Sequence, residues 1–170
     1  MIRNAAQIPL ANATAFMHGG CIRKIGARVC FDAQYYAIQL YSRMRGNRAV
    51  KCHYEGPGYD TLGCQIAPNI KNVPYVDVAA CLSDDGKELD VFLTTRYQKD
   101  KTQIELNLWD FEADEGEVAV MTSDDPVAVA NPLDPEVFAP TITKMALHGK
   151  QGELTLPPHS LVRINLKRHR

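Results

Sequence analysis

The sequence predicts a mainly β domain, an antiparallel β-sandwich with a short helical N-terminal segment. Two observations carry this expectation. The apolar periodicity changes near Gly46, from a helical spacing before it to an alternating, strand-like spacing after it. Beyond that point, strand-length stretches are separated by turn residues, most plainly at Asp84-Asp85-Gly86-Lys87. The length, 170 residues with 45% hydrophobic and 23% charged, suits one domain that buries a core without staples.

Taken in order, Leu10 to Met17 is Ala-rich and free of proline, and it ends at His18-Gly19-Gly20, a helix stop. Ile22 to Phe31 reads as a short strand or an extended link. Ala33 to Arg45 places Tyr36, Ala37, Leu40, Tyr41 and Met44 on one helical face, with Asp32 as N-cap and Gly46 as C′ residue. Strands are then expected at Ala49 to Tyr54, Tyr75 to Ser83, Glu88 to Tyr97 and Thr102 to Phe111. Four more follow at Glu117 to Met121, Thr141 to Leu147, Glu153 to Leu156 and Ser160 to Lys167. Gly56-Pro57-Gly58 reads as a loop, and Asn131 to Pro140, with three prolines, must be one. The division expected is a helical segment over 1–45 and a sandwich over 46–170.

Composition excludes several classes. With 19 basic and 20 acidic residues the formal net charge is −1, which gives neither a nucleic-acid footprint nor a polybasic membrane surface. No apolar run approaches the roughly 20 residues of a membrane span. Gln7, Pro9 and Asn12 interrupt any leader-like apolar stretch, so a cytoplasmic location is expected. The five cysteines, Cys21, Cys30, Cys52, Cys64 and Cys81, include no C-x-x-C pair, which favours free thiols in a reducing compartment. Pairing His18 with Cys21, or Cys52 and His53 with Cys64, is the alternative zinc reading, and it lacks the paired short spacings such sites use.

Catalytic motifs are missing: there is no H-E-x-x-H, no G-x-S-x-G and no Walker loop. The acidic groups Asp84-Asp85, Glu112 with Asp114 and Glu115, and Asp124-Asp125 fall in predicted turns, where short polar side chains bond locally. His159 and Ser160 are adjacent and cannot easily take triad geometry. Asn12-Ala13-Thr14 matches a glycosylation sequon inside a predicted helix. No catalytic residue, metal site or cofactor is therefore expected. The positive feature is aromatic. Trp109 and Phe111 stand two apart beside Glu105 and Asn107, and with Tyr54 and Tyr59 they are candidate carbohydrate contacts if exposed; if covered, they are packing.

Several stretches carry a family resemblance. They are Ala11 to Thr14, His18-Gly19-Gly20 with Ile22-Arg23, Gln34 to Ser42, and Val73-Pro74-Tyr75-Val76-Asp77 with the following hairpin. Asn131-Pro132 with Val137 and Pro140, and Leu156-Pro157-Pro158-His159-Ser160 before the last strand, complete the set. Together they resemble the C-terminal region of the alpha-L-arabinofuranosidases of glycoside hydrolase family 51. The resemblance implies a jelly-roll β-sandwich packed on a (β/α)8 barrel that hydrolyses glycosides with retention through two glutamates. It makes Met1 to Arg45 the tail of that barrel. The family's acid/base glutamate follows an asparagine and its nucleophile precedes a tryptophan, and this chain has no Asn-Glu and no Glu-Trp dipeptide. Thr95-Arg96 also departs from the family's frequent Asn-Arg. The expected role is thus a non-catalytic accessory domain whose partner is a barrel outside this chain, with self-association as a further possibility. The competing reading is a stand-alone module that binds arabinose-containing polysaccharide; nucleic acid and membrane are not expected partners. An independent small enzyme is the third.

Overall fold

The computed structural model describes residues 2–4, 6–8, 17 and 20–169. The helix expected over Leu10 to Met17, its glycine stop and the sequon therefore fall, Met17 and Gly20 apart, outside the described residues. A 3-10 turn at Ile2–Asn4 precedes a hairpin of β1 (Ile22–Ile25) and β2 (Arg28–Phe31), and helix α1 follows at Ala33–Ser42. The strands after it are β3 (Arg48–Val50), β4 (Gly58–Thr61), β5 (Ile70–Pro74), β6 (Val76–Leu82), β7 (Glu88–Thr95) and β8 (Thr102–Asn107). β9 (Glu115–Met121), β10 (Thr141–Ala146), β11 (Gln151–Leu156) and β12 (Leu161–Lys167) complete the chain.

Six strands form one sheet in the order β10-β9-β12-β7-β6-β3, each neighbour antiparallel. Its register lines up apolar side chains across the strands. Leu82, Leu89, Leu166 and Gly116 make one row, Ala80, Val91, Ile164 and Val118 the next, and Val78, Leu93, Val162 and Val120 a third. These rows share one face, as the two-residue side-chain period requires. The antiparallel β8–β11 ribbon covers that face with Ile104, Leu106, Leu154 and Leu156, joined by Leu108, Phe111 and Leu147. Each fully buried aliphatic side chain contributes roughly 1.5–3 kcal/mol relative to exposure, so this layer is the main source of stability.

The opposite face is covered by α1. Leu40 packs on Ala119 and Leu161, and the Tyr41 ring stacks on Phe92 with centroids 4.5 Å apart. β7 is consequently buried on both faces, which explains why its polar-looking positions are not solvated.

The mainly β, antiparallel fold is as the periodicity predicts, with three local differences. Ile22 to Phe31 is a hairpin, turned at Gly26 with φ +61°. β4 and β5 pair in a stretch, beginning at the end of the Gly56-Pro57-Gly58 loop, for which no strand is expected, because their residues are mostly polar and exposed. The helix stops at Ser42, before Gly46. That glycine has a different duty: a Cβ there would lie 2.5 Å from the Cys81 carbonyl carbon and oxygen, so only glycine lets the chain pass so near β6.

Candidate functional site

The four candidate aromatics do not form one surface. Trp109 stands in the turn after β8 and is 85% exposed. Phe111, two residues on, turns inward, 5% exposed, with the Arg168 guanidinium 4.7 Å over its ring. The alternation that pairs them in the sequence breaks because β8 ends at Asn107. Arg168 donates to the Gly86 and Asp110 carbonyls, which ties the Trp109 turn to the β6–β7 hairpin end of the sheet. Tyr54 and Tyr59 lie at the other end, where the Tyr59 ring meets Tyr75 at 4.8 Å and Tyr75 stacks on Tyr97 at 4.4 Å. The seven residues of β6 separate the two ends by about 23 Å at about 3.3 Å per residue. Tyr75 and Tyr97, read as the ends of two expected strands, were not among the candidates; each sits just outside the strand observed.

Tyr54 is half-buried, donates to the Pro57 carbonyl and packs on the main core; burial, and then the neighbouring Tyr97, push its hydroxyl up. Beside it a shallow groove of about 320 Å³ runs between His53, Asn72, Arg3 and Asp77. Asp77 pairs with Arg3 at 2.6 Å and with Arg96 at 3.2 Å. Arg96 also donates to the Pro74 carbonyl, so the Thr95-Arg96 dipeptide braces the start of β6.

Acid/base chemistry has little to work with. Glu112, Asp114 and Glu115 each pair with a different base, Lys150, His169 and Lys144. Asp125 accepts from the Val127 amide, a local turn bond. Asp85 accepts from the Ser83 hydroxyl and the Lys87 amide, and those bonds hold its carboxyl below the usual range. Ser160 is buried and donates to the Pro157 carbonyl, while His159 takes a left-handed φ of +48° in the turn that carries the chain into β12. Burial pushes the Cys52 and Cys81 thiols up, which keeps them protonated and weakly nucleophilic. All five cysteines are free.

One polar group stands out from the sequence reading. Asp90, on the face of β7 opposite Leu89, Val91 and Leu93, is 0% exposed. Its Oδ1 pairs with Arg163 at 2.7 Å and accepts from Asn165, and its Oδ2 accepts from the Arg45 amide at 2.6 Å. A carboxylate so fully occupied is neutralised structure rather than a catalytic acid or base. A retaining glycosidase needs two carboxyls about 5 Å apart; among the described residues Asp90 is the only buried carboxylate.

The alpha-L-arabinofuranosidase C-terminal domain model matches residues 1–160. The GH51 alpha-L-arabinofuranosidase from Thermotoga petrophila RKU-1 superposes with a TM-score of 0.89 at 23% identity, covering 97% of this chain and 35% of that one. An alpha-L-arabinofuranosidase from Thermotoga maritima, solved as an arabinose complex, gives the same TM-score, identity and coverage. The GH51 arabinofuranosidase from Xanthomonas axonopodis pv. citri aligns at 0.80 and 18% identity, over 98% of this chain and 33% of that one. No curated protein matches the chain significantly. At these identities the solved structures establish the shared fold, and the chain spans about a third of their length. The family match over nearly all of the sequence, together with this sandwich, places the chain in the alpha-L-arabinofuranosidase C-terminal domain family.

Proposed function

We propose that this chain acts as the non-catalytic C-terminal sandwich of a family 51 glycoside hydrolase, supporting a (β/α)8 barrel that lies outside these 170 residues. Residues 1–45 lead in from that barrel, and the sandwich follows. The parent activity is the hydrolysis of terminal alpha-L-arabinofuranosyl residues in arabinan, arabinoxylan or related oligosaccharides, in L-arabinose metabolism. The family match over residues 1–160, in a chain without a buried carboxylate pair among its described residues, carries this reading. Free thiols at all five cysteines favour a reducing, cytoplasmic setting, and no described helix is long and apolar enough to cross a membrane.

The test is to assay the purified chain on an aryl alpha-L-arabinofuranoside, then with a separately expressed family 51 barrel. No turnover alone, and a rise in the barrel's thermal midpoint on mixing, are expected. Hydrolysis that follows the chain through purification overturns the reading.

The 85% exposure of Trp109 favours a second reading, direct contact with an arabinose-containing polysaccharide. Of the other candidates, Tyr54 and Tyr59 would form a separate contact at the far end, while Phe111 serves the core. Titrating arabinan or arabinoxylan oligosaccharides should then shift the Trp109 emission to the blue, and an unmoved spectrum dismisses it. The half-exposed ring of Tyr41 and the exposed Val29 and Met17 also leave room for self-association through the N-terminal segment. Sedimentation at micromolar concentration reads this directly, and a monomer at all concentrations excludes it.

A further inference from the structure

We infer that α1 is clamped to the sandwich at both ends, so that residues 20–46 and the six-stranded sheet move as one body. The clamp at the C-terminal end is the Asp90 carboxylate. Beyond its Arg163 and Asn165 partners on the sheet, it accepts the backbone amides of Arg45 at 2.6 Å and Gly46 at 3.3 Å. Arg163 completes the loop by donating to the Arg43 carbonyl at 2.9 Å, just beyond the helix end. The last turn of a helix leaves carbonyls without intrahelical partners, and here a buried guanidinium from β12 reaches one. Gly46 fits against the Cys81 backbone immediately afterwards, where no side chain has room.

The clamp at the N-terminal end is Asp32. It stands at the N-cap position, yet its side chain makes no capping bond. Its Oδ2 pairs instead with Arg23 Nε at 2.7 Å, and its Oδ1 accepts from Arg23 Nη2 and from the Ala130 amide. Arg23 also donates to the Ala130 carbonyl, and the Phe31 amide to the Pro135 carbonyl. The β1–β2 hairpin, the start of α1 and the loop between β9 and β10 are thus joined through one carboxylate and one guanidinium. Between the clamps, Leu40 and Tyr41 bury against Ala119, Leu161 and Phe92.

The consequence for a preceding barrel rests on the function proposed above: residues 45–46 are not its hinge to the sandwich, although the periodicity changes there. The rigidity itself stands or falls without that reading.

Hydrogen exchange on the whole chain tests the rigidity. The Arg45 and Gly46 amides should exchange as slowly as amides of β7 and β12, and the Ala130 amide more slowly than those of the exposed residues 98–101. Trypsin adds a second readout, since Arg43 and Arg45 have exposed side chains. Cleavage after them should be slower than after Lys99 or Lys101 by about tenfold or more, as expected of a segment that opens only with its scaffold. Asp90→Ala should remove that protection, Asp32→Ala should speed exchange at Ala130, and Lys144→Ala, which breaks an exposed pair, should change neither. Fast exchange at Arg45 and Gly46 in the unaltered chain, or cutting there as rapid as at Lys99, overturns the inference even if Asp90→Ala does not fold.

Discussion

Asp90 has no contact with water, and its two oxygens are satisfied by two amides, a guanidinium and a carboxamide. Removing one partner of a buried ion pair strands the other in a medium of low polarity, which typically costs about 3–5 kcal/mol. Arg163→Met should therefore lower the urea midpoint sharply, and adding Asp90→Leu should recover only part of the loss, because the Arg45 and Gly46 amides then lose their acceptor. A single variant as stable as the parent would show that the pair is solvated. Asp85 behaves differently because it is exposed. Its carboxyl is held below the usual range in the folded chain, first by the Ser83 hydroxyl and then by the Lys87 amide. A carboxyl depressed on folding stabilises at pH above its unfolded value, and the contribution disappears as pH falls through the folded value. Urea midpoints of the parent and Asp85→Asn should differ by the same small amount at about pH 7 and about pH 5, then converge as the pH falls through the lowered folded value. A difference that persists in acid would assign the effect to turn geometry instead of charge.

Among the elements, α1 shows how much tertiary contact a short helix needs. Ten residues are too few to be stable alone, so Leu40, fully buried on Ala119 and Leu161, supplies what propensity does not. Leu40→Ala should cost about 2–5 kcal/mol, the range for emptying a leucine-sized site, and guanidinium titration followed by circular dichroism measures it. A loss under about 1 kcal/mol would mean that α1 rests loosely on the sheet. The helical face drawn from spacing was right for Tyr36 and Leu40, which are buried, and less so for Tyr41, whose ring lies flat on Phe92 yet stays partly exposed. β8, whose residues are covered and exposed in turn, was legible because one covered face imposes a period of two. β4 and β5 were not, since a two-stranded ribbon with mostly exposed residues imposes no such pattern.

For the whole molecule, one tryptophan at a water-facing turn gives a simple contrast. Its emission should already be solvent-like in the folded chain and barely move on unfolding, while the far-ultraviolet dichroism of the strands collapses. A strongly blue emission that reddens with denaturant would place Trp109 under cover. Local spacing is enough for the antiparallel, strand-rich class, the hairpin at Asp84 to Lys87 and the helix around Leu40. Long-range packing settles that Phe111 turns into the core while Trp109 does not, that Gly46 serves a close backbone approach, and that Asp90 is buried. The burial of Asp90 depends on which layer covers the second face of the sheet, and the parting of Trp109 from Phe111 on where β8 ends. A strand's alternation tells which side chains share a face, but it cannot tell that a helix from earlier in the chain will come to lie on it.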